Sequence, residues 1–295
     1  MKRKAALVLS GGGARGIAHI GVIEELEKQG YEITSIAGTS MGSLVGGVYA
    51  LGKMDEFRDW ICTLDKRKVF SLVDFTLSKQ GMIKGDRVLK RMRDFIPDTN
   101  IEDLPLPYAA VAVDLINKEE VVFREGSLYH AIRASVAIPS VLTPVKSENR
   151  LLVDGGVMNN IPMDHVHRTK DDLLIVVHVN ANVPVYKPDT LDEETSKKQS
   201  VYQRKIREFY GHLRKHSHTD EEDKLGYFSL LNRTIDLMTM HLADMALQSY
   251  TPDILINISR DSCSIFDFYK AEEMMEAGRQ VARATLASYR EKATH

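Results

Sequence analysis

The amino-acid sequence predicts an α/β fold built on a mostly parallel sheet. Short apolar runs rich in Val and Ile recur in the first 60 residues and again from about residue 107 to 180, and helical patterns follow several of them. Runs that are apolar throughout, without alternation, are typical of strands buried on both faces of a parallel sheet. The chain has 295 residues, of which 43% are hydrophobic, so it can bury the core that such a fold needs.

The first two strand-turn-helix units carry the clearest pattern. "AALVLS" predicts a strand, and "IAHIGVIEELEKQG" predicts the helix after it, which ends at Gly30. "ITSIAG" predicts the second strand, and "MGSLVGGVYALG" predicts a helix that ends at Gly52. Because parallel strands end at one edge of their sheet, both glycine-rich turns are expected at the edge where open α/β sheets bind ligands.

The later elements follow in chain order. "PYAAVAVDL" and "EEVVFREG" predict a strand pair, "LYHAIRASVAI" a helix that Pro139 stops, and "RLLVDGGV" and "DDLLIVVHVN" two further strands. A last strand, "DILINIS", is expected between two amphipathic helices, "FSLLNRTIDLMTMHLADMALQSY" and "FYKAEEMMEAGRQVARATLASY". The polar stretch from Thr190 to Asp223 predicts exposed helix and loop.

Composition and charge exclude several classes of protein. A net charge of -2 is not that of a protein built to coat nucleic acid. The longest near-apolar stretch, 44–51, is far shorter than the roughly 18 residues of a membrane span, and 5–9 is too short for the core of a signal peptide. Cys62 and Cys263 form neither a metal motif nor a disulfide framework and are expected to be core thiols. We therefore expect a soluble, cytoplasmic protein, peripheral to a membrane at most, with neither metal nor cofactor.

The glycine-rich turn "SGGGARG" has the spacing of a nucleotide-binding loop but lacks the accompanying residues. The strand after it ends without the acidic residue that binds a ribose, and Ile17 and Ala18 stand where a phosphate-binding loop has Lys and Ser or Thr. Glycine amides at a helix start can also hold an oxyanion, and close helix-sheet packing is a third use of such a turn. Arg15 would either add positive charge there or fix the loop through a salt bridge.

The pentapeptide "GTSMG" predicts either a nucleophile or a helix cap. A G-x-S-x-G match arises by chance in about one chain of this length in ten, so the spacing alone decides nothing. Ser40 does lie between a predicted strand and a predicted helix, which is the context of a nucleophilic serine. In the same place, Ser40 or Thr39 could simply cap the helix.

A nucleophilic serine needs a base, and the sequence offers two kinds. A hydrolase triad would use one of the ten histidines, and His178 in "IVVHVN" would be the one to test, although none stands in a telling position. Asp154 in "LLVDGG" follows a buried strand and is expected at the same sheet edge as the two glycine-rich turns. Asp-Gly is also a common turn dipeptide, so a purely structural use stays open.

Taken together and in this order, "GGGARG", "GTSMG", "ASVAIP" and "DGG" resemble the motifs of the patatin-like phospholipases. The resemblance covers residues 5–170 closely, and it is less specific over 171–295. It implies a three-layer α/β/α fold with a mostly parallel central sheet. In that fold, 5–170 would form the catalytic core and 171–295 would complete the same domain.

The resemblance also implies an activity, the hydrolysis of lipid acyl esters by a Ser-Asp dyad without a histidine or a cofactor. Ser40 would be the nucleophile and Asp154 the base. The backbone amides of the glycine-rich turn, helped by Arg15, would hold the oxyanion. The residues implied for that hole are Gly11, Gly12, Gly13 and Arg15, and the glycines that support the motifs are Gly16, Gly38, Gly42, Gly155 and Gly156.

Further expectations concern the base and the partners. A carboxylate near its usual pKa of about 3.9 is a weak base at pH 7, so burial is expected to raise the pKa of Asp154 toward neutrality. The partner would be a lipid or another acyl ester. The basic helix predicted at 86–96 would either lie on an anionic membrane or pack in the core, and the C-terminal helices could form an oligomer interface. A histidine-triad hydrolase and a non-catalytic phosphate- or nucleotide-binding protein are the alternatives.

Overall fold

A computed structural model describes residues 3–72, 90–91, 93–94, 97, 99–139, 141–147, 149–186 and 227–293. The strands in this part of the chain are β1 (Arg3–Leu9), β2 (Tyr31–Thr39), β3 (Tyr108–Asp114), β4 (Glu119–Phe123), β5 (Val145–Ser147), β6 (Arg150–Asp154), β7 (Leu173–Ala181) and β8 (Ile254–Ser259). The helices are α1 (Ala18–Lys28), α2 (Met41–Ala50), α3 (Met54–Cys62), α4 (Lys66–Leu72), α5 (Leu128–Ser135), α6 (Tyr227–Ser249) and α7 (Ala271–Ala293).

The strands form one mixed sheet in the order β5-β6-β3-β2-β1-β7-β8, and β4 also pairs with β3. Four pairings are parallel, namely β1 with β2, β1 with β7, β2 with β3, and β7 with β8. The pairings of β3 with β4, β3 with β6, and β5 with β6 are antiparallel. The parallel strands lie together around β1, which agrees with the predicted mostly parallel sheet.

Helices cover both faces of the sheet, because the fully buried strands present apolar side chains to each side. Leu7 and Leu9 of β1 pack with α1, α2 and α7 in the larger core. Val8, between them, packs on the opposite face in a smaller core with Ala243 of α6. This alternation of β1 gives the three layers, α/β/α, that the resemblance implies.

β7 lies beyond residue 170 but pairs with β1 along five residues. This pairing supports one continuous domain, although the division into a core at 5–170 and a completing part at 171–295 stays a prediction. Two other predicted segments lie outside the described residues. They are most of the basic helix at 86–96 and the whole polar stretch 190–223. None of the helices that the structure describes is long and apolar enough to cross a membrane.

α5 ends three residues earlier than the sequence pattern predicts, at Ser135 rather than Ile138. Pro139 has no N–H with which to bond the Ser135 carbonyl, and it also disfavours helical geometry at Ile138. The residues freed in this way turn toward the ends of β2 and β6. There the Ala137 carbonyl accepts the N–H of Asp154.

Candidate active site

Ser40 occupies the turn between β2 and α2 in a conformation that favours glycine. Its φ is 54° and its ψ is -123°, and α2 begins at the next residue. The cap interpretation is wrong, because Ser40 makes no side-chain capping hydrogen bond and the Thr39 hydroxyl donates instead to the Asn159 carbonyl at 2.8 Å. The Ser40 hydroxyl is thereby left to a partner outside the helix.

Asp154 is that partner. Ser40 Oγ donates a hydrogen bond to Asp154 Oδ2 at 2.5 Å, and the two residues are only 5% and 6% exposed. The sheet brings them together through β3, where Thr39 pairs with Val111 and Asp154 pairs with Ala112, the next residue along. Because β4 occupies one edge of β3, β2 and β6 share the other edge and meet end to end.

The direction of β6 differs from the expectation. Asp154 was expected to leave a strand at the same edge as the other two turns, but β6 runs antiparallel to β3, whereas β2 runs parallel to it. Asp154 therefore reaches Ser40 from the opposite direction. The carboxyl ends of the two strands face each other, and the hydroxyl and the carboxylate meet in the gap between them.

Burial raises the pKa of Asp154 from its ordinary 3.8 to about 6, against the opposing effect of two hydrogen bonds. These bonds come from Ser40 Oγ and from the Gly156 amide, which donates to Asp154 Oδ1 at 2.8 Å. Loss of hydration disfavours the charged carboxylate, and the upward direction is the one predicted from the sequence. A carboxyl group with this pKa is largely ionised at pH 7 yet accepts a proton far more readily than an ordinary aspartate.

The glycine-rich turn after β1 lies against Ser40. A Cβ atom added at Gly11 would stand 3.1 Å from Ser40 Cβ, so only glycine lets the turn approach this closely. The Gly11 amide donates to the Asn160 carbonyl at 3.1 Å and is therefore occupied. The amides of Gly12 and Gly13 donate to no residue within the described ranges.

Arg15 holds this turn through backbone carbonyls. Its Nε donates to the Gly12 carbonyl at 3.4 Å and its Nη1 to the Arg260 carbonyl at 3.0 Å, and its side chain lines the same cavity as Ser40. Burial lowers the pKa of its guanidinium, and the nearby Asp236 opposes this shift. Of the two roles considered for Arg15, fixing the loop is the one that these contacts serve, although through carbonyls rather than a salt bridge.

The remaining motif glycines allow close packing around the dyad. A Cβ at Gly38 would lie 2.5 Å from the Gly42 carbonyl, and a Cβ at Gly42 would lie 2.1 Å from the Leu9 carbonyl. α2 can therefore begin directly against the ends of β1 and β2. The others of this set are Gly16, which abuts Met41, Gly155, which abuts Val111, and Gly156, which bonds to Asp154.

Three residues that sequence reasoning did not single out complete the site. Ser135 Oγ accepts the Ser40 N–H at 2.9 Å and donates to the Val111 carbonyl at 2.6 Å. The Ala137 carbonyl accepts the Asp154 N–H at 3.0 Å. Asn180 donates from Nδ2 to the Gly11 carbonyl at 2.8 Å. Ser135 and Ala137 belong to the "ASVAIP" motif, which is the sequence signal for them, whereas no sequence motif marks Asn180.

No histidine that the structure describes bonds to Ser40 or Asp154, whose hydrogen-bond partners are each other, the Ser43 and Ser135 hydroxyls, the Gly156 amide and other backbone groups. His178 lies on β7, only 4% exposed, and burial lowers its pKa to about 4. His19 is also buried with a pKa lowered to about 4, and its Nε2 lies 2.8 Å from the Ser10 carbonyl. The contacts of the described residues therefore give no support to a histidine triad.

Ser40 and Asp154 line a cavity of about 80 Å³. Gly12 and Gly13 form one side of it, while Ile138 and Pro139 form another. Its outer wall includes Ile235 and Thr239 of α6. Pockets that enclose a whole ligand are typically about 300–1,000 Å³, so this cavity can hold a small chemical group but not a whole large ligand.

Within the described residues, Glu120, Asp164 and His165 form one group that has the side chains to hold a metal ion. Their ligand atoms lie within 4.8 Å of one another. These atoms are already paired. His165 Nε2 lies 2.7 Å from Glu120 Oε1, and Asn159 Nδ2 donates to Glu120 at 3.2 Å and to Asp164 at 3.0 Å. The hydrogen bond with Glu120 raises the pKa of His165, as in an ion-paired network.

Comparison with known proteins places these residues in a family. Residues 7–167 match the family described as "Patatin-like phospholipase". An uncharacterized NTE family protein of Mycobacterium tuberculosis is 34% identical over 97% of this chain and 92% of its own length. A second NTE family protein from that organism is 30% identical over 96% of this chain but only 46% of its own length. Mouse patatin-like phospholipase domain-containing protein 6 is 33% identical over 60% of this chain and 13% of its own length.

Proposed function

This chain belongs to the patatin-like phospholipase family, and on that premise we propose that it is a serine acyl hydrolase that cleaves lipid esters with a Ser40-Asp154 dyad. The observation that carries the proposal is the 2.5 Å hydrogen bond from Ser40 Oγ to Asp154 Oδ2, buried beside the glycine-rich turn. A buried carboxylate that accepts the proton of a hydroxyl at a tight turn is the arrangement that nucleophilic catalysis needs.

In the acylation step, Ser40 Oγ attacks the ester carbonyl carbon while Asp154 Oδ2 accepts the hydroxyl proton. The tetrahedral intermediate then collapses, and the alcohol leaves with the proton that Asp154 held. In the second step, water attacks the acyl group on Ser40 and gives a proton to Asp154. Release of the carboxylic acid returns the hydroxyl to Ser40, so the dyad ends as it began.

The negative charge of the tetrahedral intermediate would be held by the amides of Gly12 and Gly13. Both glycines line the cavity beside Ser40, and neither amide has a partner within the described residues. Gly13 has a φ of 57°, and a Cβ there would lie 2.6 Å from the Ile265 carbonyl, so an alanine cannot take its place without distortion. Donors fixed before the reaction stabilise the charge without the cost of reorganising at the transition state.

Lipid substrates are supported by the apolar surroundings of the cavity as well as by the family. The long chains must extend beyond a cavity of about 80 Å³, and α6, which forms its outer wall, carries exposed apolar side chains. Leu237 is 66% exposed and Met238 is 59% exposed on this helix. We therefore propose that the outer side of α6 makes peripheral contact with a lipid surface.

Hydrolysis of a short p-nitrophenyl ester and of a long-chain phospholipid by the full chain tests the proposed function. The intact chain should release product from both, and Ser40→Ala and Asp154→Asn should each lose activity by at least about a thousandfold, because nucleophile and base act as a unit. Activity that survives Ser40→Ala would contradict the assignment. Hydrolysis of the short ester alone would agree with the proposed Ser40-Asp154 dyad but would contradict the proposed lipid substrate.

A further inference from the structure

Ser135 lies beside the point along β3 where the pairing with β2 stops and the pairing with β6 takes over, and it bonds to Ser40 and to β3. It is 0% exposed and is the last residue of α5. Its hydroxyl accepts the N–H of Ser40 at 2.9 Å and donates to the carbonyl of Val111 at 2.6 Å. Val111 is the partner of Thr39 in the β2-β3 pairing, so the hydroxyl lies one step beyond the last paired residue of β2.

We infer that Ser135 is a positioning residue, whose hydroxyl replaces the missing rung of the β2-β3 ladder and so holds Ser40 in its catalytic orientation. Beyond Thr39 the chain turns into α2, and the N–H of Ser40 bonds to the Ser135 hydroxyl instead of to the backbone of β3. The Ser135 hydroxyl joins the two as N–H···Oγ–H···O=C. The inference rests on the proposed role of Ser40 and deepens it.

The conformation of Ser40 makes such a restraint necessary. A φ of 54° with a ψ of -123° is unfavourable for any residue other than glycine, and it persists only where surrounding contacts enforce it. The following residues hold the carbonyl side of Ser40, which accepts the Ser43 hydroxyl at 2.7 Å and the Leu44 amide at 3.1 Å. Among the described residues, Ser135 alone accepts a hydrogen bond from the Ser40 N–H.

The same segment also holds the base. Two residues after Ser135, the Ala137 carbonyl accepts the N–H of Asp154 at 3.0 Å. The early end of α5 therefore presents a hydroxyl to the nucleophile and a carbonyl to the base, and it fixes their separation from one side. This gives the "ASVAIP" motif a physical role, in which Ser135 touches neither substrate nor the reacting atoms but controls how they meet.

Ser43 provides a matched control for the test. It is another fully buried serine that bonds to Ser40, and Ser43→Ala removes a hydroxyl of the same size. The Ser40 carbonyl keeps the Leu44 amide as a partner in that variant, whereas Ser135→Ala removes the acceptor of the Ser40 N–H together with the hydrogen bond to the Val111 carbonyl. The two variants thus differ in which side of Ser40 they release.

Hydrogen exchange of the Ser40 amide, measured by NMR on the full chain, tests the inference without any reference to activity. Exchange should be at least about tenfold faster in Ser135→Ala than in the wild-type chain, and unchanged in Ser43→Ala, since one net hydrogen bond is lost only in the first. Equal exchange in all three chains overturns the inference. If Ser135→Ala does not fold, Ser135→Cys, which keeps the shape with a weaker donor and acceptor, carries the same comparison.

Kinetics on a soluble ester supply the second readout. Ser135→Ala should lower kcat about 10- to 100-fold with KM nearly unchanged, because a misplaced nucleophile loses rate rather than affinity. The midpoint of its pH-rate profile should also move upward, since the Ser40 hydrogen bond that lowers the pKa of Asp154 is weakened. Equal losses in Ser135→Ala and Ser43→Ala with no movement of the midpoint would show a merely structural role. If the wild-type chain hydrolyses no ester, the proposed function fails, while the exchange experiment still decides the role of Ser135.

Discussion

The pH dependence of ester hydrolysis tests whether the buried environment of Asp154 makes it a base. Burial raises the pKa of Asp154 to about 6, and the bonds from Ser40 and Gly156 prevent a larger rise. The ionised carboxylate is the form that accepts the Ser40 proton. Because the pKa is raised, that form is lost as the pH falls through about 6, and activity should be lost with it.

The size of the effect follows from the pKa itself. At pH 5, a carboxyl group with a pKa of about 6 is ionised to about one part in eleven, whereas one at the ordinary 3.8 would be about 94% ionised. kcat/KM at pH 5 should therefore be about a tenth of its plateau value above pH 7. An unperturbed Asp154 would give almost the plateau value at pH 5.

The assay is kcat/KM for a soluble, uncharged ester from pH 4 to 8, since this quantity reports the groups of the free enzyme. Circular dichroism at each pH separates titration of the base from acid unfolding. A profile that is flat from pH 4 to 8 in the folded chain would refute the reasoning. A midpoint near 4 would mean that burial does not raise the pKa as the structure indicates.

Three further predictions concern the same residues. Asp154→Asn should raise the free energy of unfolding at pH 7.5 by about 3 kcal/mol, because the folded carboxyl has a pKa of about 6 against 3.8 unfolded and its charged form is disfavoured above both values. In urea titrations the gain should fall below about 1 kcal/mol at pH 4, and an equal gain at both pH values would contradict it. Ser40→Gly should be more stable than Ser40→Ala by about 1 kcal/mol, because glycine relieves the backbone strain at a φ of 54° and this gain outweighs the entropy cost of glycine. Equal melting temperatures of the two variants would argue against backbone strain. His178→Gln should retain labelling of Ser40 by a fluorophosphonate at a rate within about threefold of wild type, because a dyad needs no imidazole, and loss of labelling would restore the histidine triad.

The parts of the fold that the sequence predicts well are those set by local patterns. β1, β2, α1 and α2 follow from apolar runs, glycine punctuation and helical periodicity, each contained within about a dozen residues. These patterns therefore suffice to predict both glycine-rich turns at one edge of the sheet. Ser40 could be put at a strand-helix turn on the same grounds.

The direction of β6 could not be predicted, because a short apolar strand carries no mark of the direction in which it pairs. That direction is set by pairing of Ala112–Asp114 with a segment some forty residues further on. The expectation that Asp154 and Ser40 would meet was sound in its result but not in its geometry.

The hydrogen bonds that hold the site are also beyond local reasoning. The occupied amide of Gly11 depends on Asn160, and the orientation of Ser40 depends on Ser135, 95 residues away. Serine and asparagine are common in turns and at helix ends, so neither residue type signals such a contact by itself. Only the "ASVAIP" motif, conspicuous beside the other three, indicated that this stretch has a role.

Covalent labelling with a fluorophosphonate, followed by mass spectrometry of the modified peptide, tests the central claim most directly. The intact chain should carry the label on Ser40, Ser40→Ala should carry none, and Asp154→Asn should label far more slowly, because the base that accepts the hydroxyl proton is absent. Labelling that persists in Ser40→Ala, or a label found on another serine of the intact chain, would contradict the account.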